Sequence, residues 1–156
     1  MARYKVAGIG EKAKFFDDRA YRDTLRYVCD PRKAKYTGGS GVSSIQAAAD
    51  EMQQVAKHFG KDCGKRVRHS ILGFDPTEQV TPEMADAFAR QIIQHYADQY
   101  QIVYGVHTDT DVTHIHFLMN QVSYIDGHRY LGKRKDYHQF LSHIRKVTHL
   151  PVLPAR

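Results

Sequence analysis

The segment His107-Thr-Asp-Thr-Asp-Val-Thr-His114-Ile-His116-Phe-Leu-Met-Asn120 places three histidines and two aspartates within ten residues, beside a run of apolar ones. Alternate side chains of a β-strand share a face, so a strand here directs His114 and His116 to one side and the intervening isoleucine to the core. If residues 101–107 form the preceding antiparallel strand, the polar run 108–113 is a hairpin turn and His107 lies across from His114. The segment therefore predicts three imidazoles on one face of an antiparallel sheet.

Outward from this hairpin, apolar periodicity and turn residues predict the other elements. Strands are expected at residues 4–9, 67–74, 101–107 and 114–124, with a short return strand at 129–131. Helices are expected at residues 17–29, from Ser43 or Ser44 to 59, from Thr81 to Tyr96 or Gln99, and at 135–147. The basic, glycine-rich segment 31–41 is expected to be a mobile loop. This order predicts a single α+β domain in which a central antiparallel β-sheet is flanked by helices.

The bulk composition is that of one globular domain with a basic surface. The 156 residues are 42% hydrophobic and 26% charged, and the formal net charge of +6 suits a polyanionic partner without requiring one. Cys29 and Cys63 are too few for a disulfide framework and lack zinc-finger spacing. The sequence shows no apolar signal segment and no membrane-spanning run, so we expect a cytoplasmic protein that is not inserted in a membrane.

Three neutral imidazoles on one sheet face predict a divalent metal site with open positions for a substrate. Nitrogen ligands favour Mn²⁺, Zn²⁺, Co²⁺ or Ni²⁺, while phosphate or water oxygens in the open positions make Mg²⁺ acceptable. Asp109, two residues after His107, is expected to orient one of the ligating rings. Two residues stay open: Asp111 either supports a ligand or shapes the turn, and His69 either faces the site or packs in the sheet. The alternative to a metal site is a hydrogen-bonded polar cluster that closes the end of the sheet.

Three segments together resemble a known family. The pattern His-x-Asp-x-Asp-x-x-His-x-His at 107–116, followed by Asn120, resembles the third motif of MobA/MobL-type (MOBP class) DNA relaxases, which are HUH endonucleases. The segment Leu25-Arg-Tyr27-Val-Cys-Asp-Pro31-Arg-Lys33 is similar to their first motif, which carries a nucleophilic tyrosine. The segment Arg68-His69-Ser-Ile-Leu-Gly73-Phe74-Asp-Pro76 is similar to their central strand, although Gly73 stands where the family often has serine.

The resemblance implies a function for the whole domain. Residues 1–156 would form a relaxase catalytic domain, either alone or as the N-terminal domain of a longer protein. Its activity would be site- and strand-specific nicking and rejoining at a transfer origin in conjugation or mobilisation. Tyr27 would attack the phosphorus to form a 5′-phosphotyrosine link, while His107, His114 and His116 hold a divalent ion, with Mn²⁺ or Mg²⁺ as the first expectation. Single-stranded origin DNA, relaxosome accessory proteins and a coupling protein are the implied partners.

Other tyrosines and other functions remain in competition. Tyr21 is the second candidate nucleophile within the first predicted helix. Tyr130 begins a Tyr-x-x-Lys pattern after the histidine motif, which is the order found in rolling-circle replication initiators, another HUH class. A non-enzymatic alternative is a basic module that only binds single-stranded DNA.

Single-stranded DNA is held by basic grooves and by aromatic stacking. Candidate contacts therefore combine basic and aromatic residues from the 31–41 segment, the central strand and the region after the histidine motif, namely Arg32, Lys33, Lys35, Tyr36, Arg68, Arg129 and Lys133. The 31–41 segment is the first choice because it follows Tyr27 directly, and its glycines would let a loop close over the strand.

Overall fold

The computed structural model describes residues 1–8 and 14–155. In chain order the elements are β1 (Ala2–Val6), α1 (Ala20–Val28), β2 (Ala34–Ser40), α2 (Ala48–His58), β3 (Val67–Gly73), a 3₁₀ turn (Pro76–Glu78), α3 (Pro82–Ile92), α4 (Gln94–Ala97), β4 (Ile102–His107), β5 (His114–Asn120), α5 (Arg134–Thr148) and β6 (Val152–Pro154). The described strands form one sheet in the order β2-β4-β5-β3-β1-β6. The predicted α+β class, a central sheet flanked by helices, is confirmed.

The sheet is mixed rather than wholly antiparallel. All its neighbouring strands run antiparallel except β1 and β6, which are parallel. No pattern in the sequence indicates β6, because three residues are too few to show an alternation.

The histidine hairpin has the predicted register. His107 of β4 pairs with His114 of β5, and Gly105 pairs with His116. Strand β5 ends earlier than its predicted end at residue 124, because the side-chain oxygen of Asn120 accepts the N–H of Val122 at 3.2 Å and the chain turns there. The predicted return strand at 129–131 is reduced, within the described residues, to an isolated bridge between Val122 and Arg129.

The prediction of a mobile loop at 31–41 was wrong. Residues Ala34–Ser40 form β2, an edge strand that pairs antiparallel with β4. A Cβ at Gly38 would lie 2.6 Å from the phenol oxygen of Tyr104, so this glycine makes room for an aromatic ring from the neighbouring strand. The Tyr104 hydroxyl in turn donates to Asp86 of α3 at 2.6 Å. The glycine at position 38 is therefore explained by its close contact with the Tyr104 side chain and does not indicate a flexible turn.

The two faces of the sheet carry different helices. Helices α3, α4 and α5 pack on one face, which we call the core face, against buried side chains that include Tyr104, Ile115 and Phe117. Helices α1 and α2 pack on the other face against a second buried cluster that includes Val103 and Leu118. His107, His114 and His116 alternate with core-face residues and so lie on this second face, the histidine face.

Several predicted boundaries moved by a few residues. Strand β1 starts and ends earlier than the predicted 4–9, and residue 9 lies outside the described residues. Thr81 caps α3 as predicted, since its hydroxyl accepts the N–H of Met84 at 3.1 Å. None of the helices within residues 1–8 and 14–155 is both long and apolar enough to span a bilayer.

Candidate functional site

Tyr27 and the histidines come together at one end of the histidine face. Tyr27 lies in the last turn of α1, and its ring centroid is 5.5 Å from that of His116, 5.8 Å from His107 and 5.7 Å from His69. The tyrosine is 45% exposed, whereas His69, His107 and His116 are buried. The tyrosine is therefore accessible from solvent while it contacts a buried cluster of imidazoles.

A glycine on β4 lets α1 approach the sheet this closely. A Cβ at Gly105 would lie 2.0 Å from the carbonyl oxygen of Val28, the last residue of α1. The same carbonyl oxygen lies 2.8 Å from Nε2 of His107, and only the ring N–H can donate in this pair. A neutral His107 ring therefore carries its proton on Nε2 and leaves the lone pair on Nδ1.

The histidines also contact one another. The rings of His107 and His116 stack with their centroids 3.8 Å apart, and Nδ1 of His116 lies 2.9 Å from Nε2 of His69. Burial, together with the charge of His107, lowers the pKa of His116 to about 2 and that of His69 to about 4. Burial also lowers the pKa of His107, against the opposing effect of its bond to Val28. These three imidazoles are thus neutral at physiological pH, which is the state in which a histidine binds a metal.

The donor types suit a divalent ion, although the rings do not converge on one point. In the part of the chain that the structure describes, no three His, Cys, Asp or Glu side chains are arranged as a metal-ligand group. The stacked rings of His107 and His116 lie side by side, and the ring of His114 is 6.4 Å from that of His116. Imidazole nitrogens beside an open cleft nevertheless have the chemistry of the predicted set, so His107, His114 and His116 are residues that could hold the ion.

The two aspartates of the hairpin turn are exposed. Nε2 of His107 is hydrogen-bonded to the Val28 carbonyl. The sequence spacing instead predicts Asp109 as the residue that orients a ligating ring. Asp109 lines the cleft, and its charge raises the pKa of His107 against the larger effect of burial. Asp111 lies further along the same turn, so its place leaves a turn-forming role open.

A cleft of about 520 Å³ opens above Tyr27 and the three predicted ligands, and we call it the histidine cleft. It is also lined by Arg3 and Lys5 of β1, which the sequence interpretation missed. Pairing with Gly73 and Ile71 of β3 places these two basic residues on the histidine face. The sequence does contain a pattern that identifies them, because the two basic residues alternate with the buried residues of a short strand.

Gly73 also has a local role in the cleft. It pairs with His114, and a Cβ at position 73 would lie 3.0 Å from Cδ2 of the His114 ring. The residue that departs from the relaxase motif therefore leaves room for the imidazole of a predicted ligand.

The basic residues that follow α1 divide between two sides of the molecule. The Lys33 ammonium lies 4.4 Å from the centre of the Tyr27 ring, and the Lys33 charge acts on both His107 and His116. Arg32 is exposed and forms an ion pair with Asp30 at 3.0 Å. Lys35 and Tyr36 instead contact Glu83 of α3, at 3.1 and 2.9 Å, on the core-face side of the sheet.

The remaining predicted DNA contacts lie away from the histidine cleft. Arg68 points from β3 to the core face, where its guanidinium carbon lies 5.1 Å from the centre of the Tyr130 ring. Arg129 donates to the carbonyl oxygens of Lys61, Cys63 and Lys65 at 2.9–3.0 Å. Together with Lys133, it lines a separate cleft. The structure does not bring these three basic residues to Tyr27.

The alternative tyrosines are engaged elsewhere. Tyr21 is buried, and its hydroxyl donates to Asp62 at 2.8 Å. Burial and this carboxylate raise the pKa of Tyr21. Tyr130 packs against the core-face cluster, and its hydroxyl lies 2.9 Å from that of Tyr96.

Comparison with known proteins identifies a family that matches most of this chain. A family described as "Relaxase: MobA/VirD2-like, nuclease domain" matches residues 27–149. Two similar proteins from Staphylococcus aureus, each named protein rlx, are 29% identical over 97 residues and 27% identical over 94 residues. These matches cover 62% and 60% of this chain but only 30% and 28% of the relatives, so the chain spans less than a third of their length.

A solved structure shares the fold. It is described as "Molecular Basis of Vancomycin Resistance Transfer in Staphylococcus aureus", with a TM-score of 0.55 and 10% sequence identity. The likeness covers 100% of this chain and 97% of that one, so it extends over the whole arrangement of strands and helices.

Proposed function

The chain belongs to the family of MobA/VirD2-like relaxase nuclease domains, and from this premise we propose that it nicks and rejoins one DNA strand at a transfer origin. The observation that carries the proposal is the contact between an exposed tyrosine, Tyr27, and a buried cluster of neutral histidines. We take residues 1–156 as the catalytic domain, either alone or at the N-terminus of a longer protein. The activity would serve conjugation or mobilisation and would take place in the cytoplasm.

In the proposed reaction Tyr27 is the nucleophile. Its hydroxyl loses a proton to solvent, and the phenol oxygen bonds to the phosphorus of the scissile phosphodiester. The bond from phosphorus to the 3′ oxygen breaks, and that oxygen leaves as a free hydroxyl after taking up a proton. The product is a 5′-phosphotyrosine link between protein and DNA. Because one phosphate diester replaces another, the 3′-hydroxyl can reverse the step and rejoin the strand without an external energy source.

His107, His114 and His116 are the proposed ligands of a divalent ion, with Mn²⁺ or Mg²⁺ as first candidates and Zn²⁺, Co²⁺ or Ni²⁺ as alternatives. Bound there, such an ion would act as a Lewis acid that stabilises negative charge on the phosphate oxygens. The protein's own contribution is to keep the rings of His107 and His116 neutral by burial and to fix His107 through the Val28 carbonyl. Asp109, an exposed residue that lines the cleft, is proposed to orient one of the ligating rings from the rim.

The DNA strand is proposed to enter the histidine cleft between basic residues on either side. Arg3 and Lys5 lie on the β1 side, and Lys33 lies beside Tyr27. Arg32 extends the same side into solvent. A more distant part of the DNA is proposed to contact the predicted residues that lie away from this cleft, namely Lys35, Tyr36, Arg68, Arg129 and Lys133. Accessory proteins of a relaxosome and a coupling protein are the further partners that this function requires.

A covalent-adduct assay tests the proposal. The protein is incubated with single-stranded oligonucleotides that tile its candidate transfer origin, with Mn²⁺ or Mg²⁺, and is resolved on a denaturing gel. We expect an adduct that Tyr27→Phe abolishes. Tyr130→Phe is the matched control, since it removes the same hydroxyl from an aromatic cluster on the core face.

The same gel separates the alternatives. An adduct that survives in Tyr27→Phe but is lost in Tyr130→Phe would favour a replication initiator. Oligonucleotide binding without an adduct, for every origin fragment and both ions, would favour a module that only binds single-stranded DNA.

A further inference from the structure

His69 is a fourth histidine in the cluster. It lies on β3, faces the same side as the three predicted ligands, and is only 8% exposed. Its ring meets the Tyr27 ring edge to face at 5.7 Å and the Phe15 ring at 6.4 Å. Among the described residues its one hydrogen-bond contact is the 2.9 Å approach of its Nε2 to Nδ1 of His116.

That contact constrains where the protons lie. Two ring nitrogens at hydrogen-bond distance share one proton, so one ring must donate and the other must accept. If His69 donates, His116 carries its own proton on Nε2 and has no lone pair to offer the cleft. If His116 donates from Nδ1, its Nε2 is left with a free lone pair.

We propose that His69 is a positioning residue for His116: its Nε2 accepts the Nδ1 proton of His116, which leaves Nε2 of His116 as the metal-binding nitrogen. The inference rests on the proposed function, because it assumes that His116 is a ligand. His69 would then do for His116 what the Val28 carbonyl does for His107, namely fix the tautomer and the direction of the ring. Both rings of the pair are buried, and one proton lies between their facing nitrogens.

A neutral acceptor suits this site better than a carboxylate. Histidine ligands are often supported by carboxylates, which add a negative charge close to the ion. The proposed substrate is a phosphodiester, and an extra negative charge in a buried position would repel it. The two groups that lie at hydrogen-bond distance from the rings of His107 and His116, the Val28 carbonyl and the His69 imidazole, are both uncharged. The arrangement thus orients two rings without making the cleft more anionic.

Mn²⁺ binding measured by isothermal titration calorimetry tests the proposal without DNA. Glutamine can place its amide oxygen near the position of the His69 Nε2, whereas leucine has similar bulk and no acceptor. We expect His69→Leu to weaken Mn²⁺ binding by about 10- to 100-fold and His69→Gln to retain affinity within a few-fold. The control is His95→Leu, which removes a packed imidazole beside Tyr96 and Phe140. Wild-type affinity in His69→Leu, or equal losses in the leucine and glutamine variants, would overturn the inference.

A second readout does not depend on the metal. Nitrogen-15 NMR of the metal-free protein reports which ring nitrogen of His116 carries the proton. We expect a proton on Nδ1 in the wild type and in His69→Gln, and a mixture of tautomers in His69→Leu. A proton on Nε2 in the wild type would refute the assignment of roles.

The outcomes distinguish this inference from the proposed function. If the wild type forms no covalent adduct with any origin fragment, the nicking function fails, while the tautomer of His116 still decides whether His69 is the acceptor. If the adduct forms but His69→Leu leaves both the His116 tautomer and the Mn²⁺ affinity unchanged, the nicking function is supported and the positioning role of His69 is refuted.

Discussion

The carbonyl oxygen of Val28 and the α-carbon of Gly105 approach so closely that a Cβ at position 105 would lie 2.0 Å from that oxygen. The contact joins the last turn of α1, which carries Tyr27, to the strand that carries His107. A side chain at position 105 would therefore push the tyrosine away from the histidines. The distance between the two halves of the site depends on the absence of a single methyl group.

Gly105→Ala is expected to impair the site more than the fold. The overlap is with backbone, so α1 must shift, and we expect the free energy of unfolding to fall by about 1–3 kcal/mol. We also expect the rate of covalent-adduct formation to drop at least tenfold, since a barrier rise of about 1.4 kcal/mol is enough. Urea denaturation and the adduct assay measure the two effects. Gly60→Ala is the control. Its positive φ makes alanine unfavourable there, but no described atom lies within 4 Å of the added Cβ, so the variant strains the backbone without displacing α1. Full activity in Gly105→Ala would show that the α1 contact does not set the geometry.

Lys33 and Lys35 make a matched pair for a test of charge next to the tyrosine. The Lys33 ammonium lies 4.4 Å from the centre of the Tyr27 ring, whereas Lys35 forms an ion pair with Glu83. We expect Lys33→Met to slow single-turnover cleavage by about tenfold or more, because the variant removes positive charge beside the reacting phosphate. Lys35→Met is expected to stay within about twofold of the wild-type rate, because an exposed ion pair contributes little free energy. Equal effects in the two variants would contradict a special role for Lys33.

Arg3 and Lys5 are expected to contact DNA phosphates. Binding of a fluorescent single-stranded oligonucleotide, measured at several KCl concentrations, gives a slope that falls by about 0.7 for each phosphate that the protein no longer neutralises. The double variant Arg3→Gln, Lys5→Gln should therefore reduce the slope by about 1.4. Lys133→Gln, in the separate cleft, should leave it unchanged. A slope that responds to Lys133→Gln but not to the double variant would move the DNA path to the other cleft.

The buried histidines predict that stability falls in mild acid. The pKa of His69 is about 4 and that of His116 about 2 in the folded protein, both below the ordinary value of 6.5. Below pH about 6.5 these two histidines become protonated in the unfolded chain but stay neutral in the folded protein. The free energy of unfolding therefore decreases by up to about 1.4 kcal/mol per pH unit for each ring. Urea denaturation of the protein in EDTA between pH 7 and 5 should show this decline. His69→Gln should make it shallower, and a flat wild-type profile would be inconsistent with buried neutral rings.

The β4–β5 hairpin shows which parts of the site a sequence can reveal. The alternation of His114 and His116 with apolar residues defines a face, and the short polar turn fixes where His107 falls. Both signals are local, so the sequence alone is enough to place the three histidines together. The expected proximity of Tyr27 rests on the resemblance of its segment to a relaxase motif and on its place late in a predicted helix, before a basic segment.

The missed features depend on contacts between residues far apart in the chain. Gly38 and Tyr104 are separated by 66 positions, and their contact explains why a glycine stands at position 38 of this strand. His69 and His116 are 47 positions apart, and Val28 and His107 are 79 apart. No pattern along the chain indicates that a helix carbonyl, and not a nearby aspartate, accepts the His107 proton.

The parallel pairing of β6 with β1 has a practical consequence for anyone who makes this protein. Met1 and Ala155 both line the histidine cleft, and the amino group of Met1 forms an ion pair with Asp75 at 3.1 Å. An affinity tag joined to Met1 would therefore begin at the rim of the cleft and would remove this ion pair. A removable tag, or a label on the exposed thiol of Cys63, would leave this rim of the cleft uncovered.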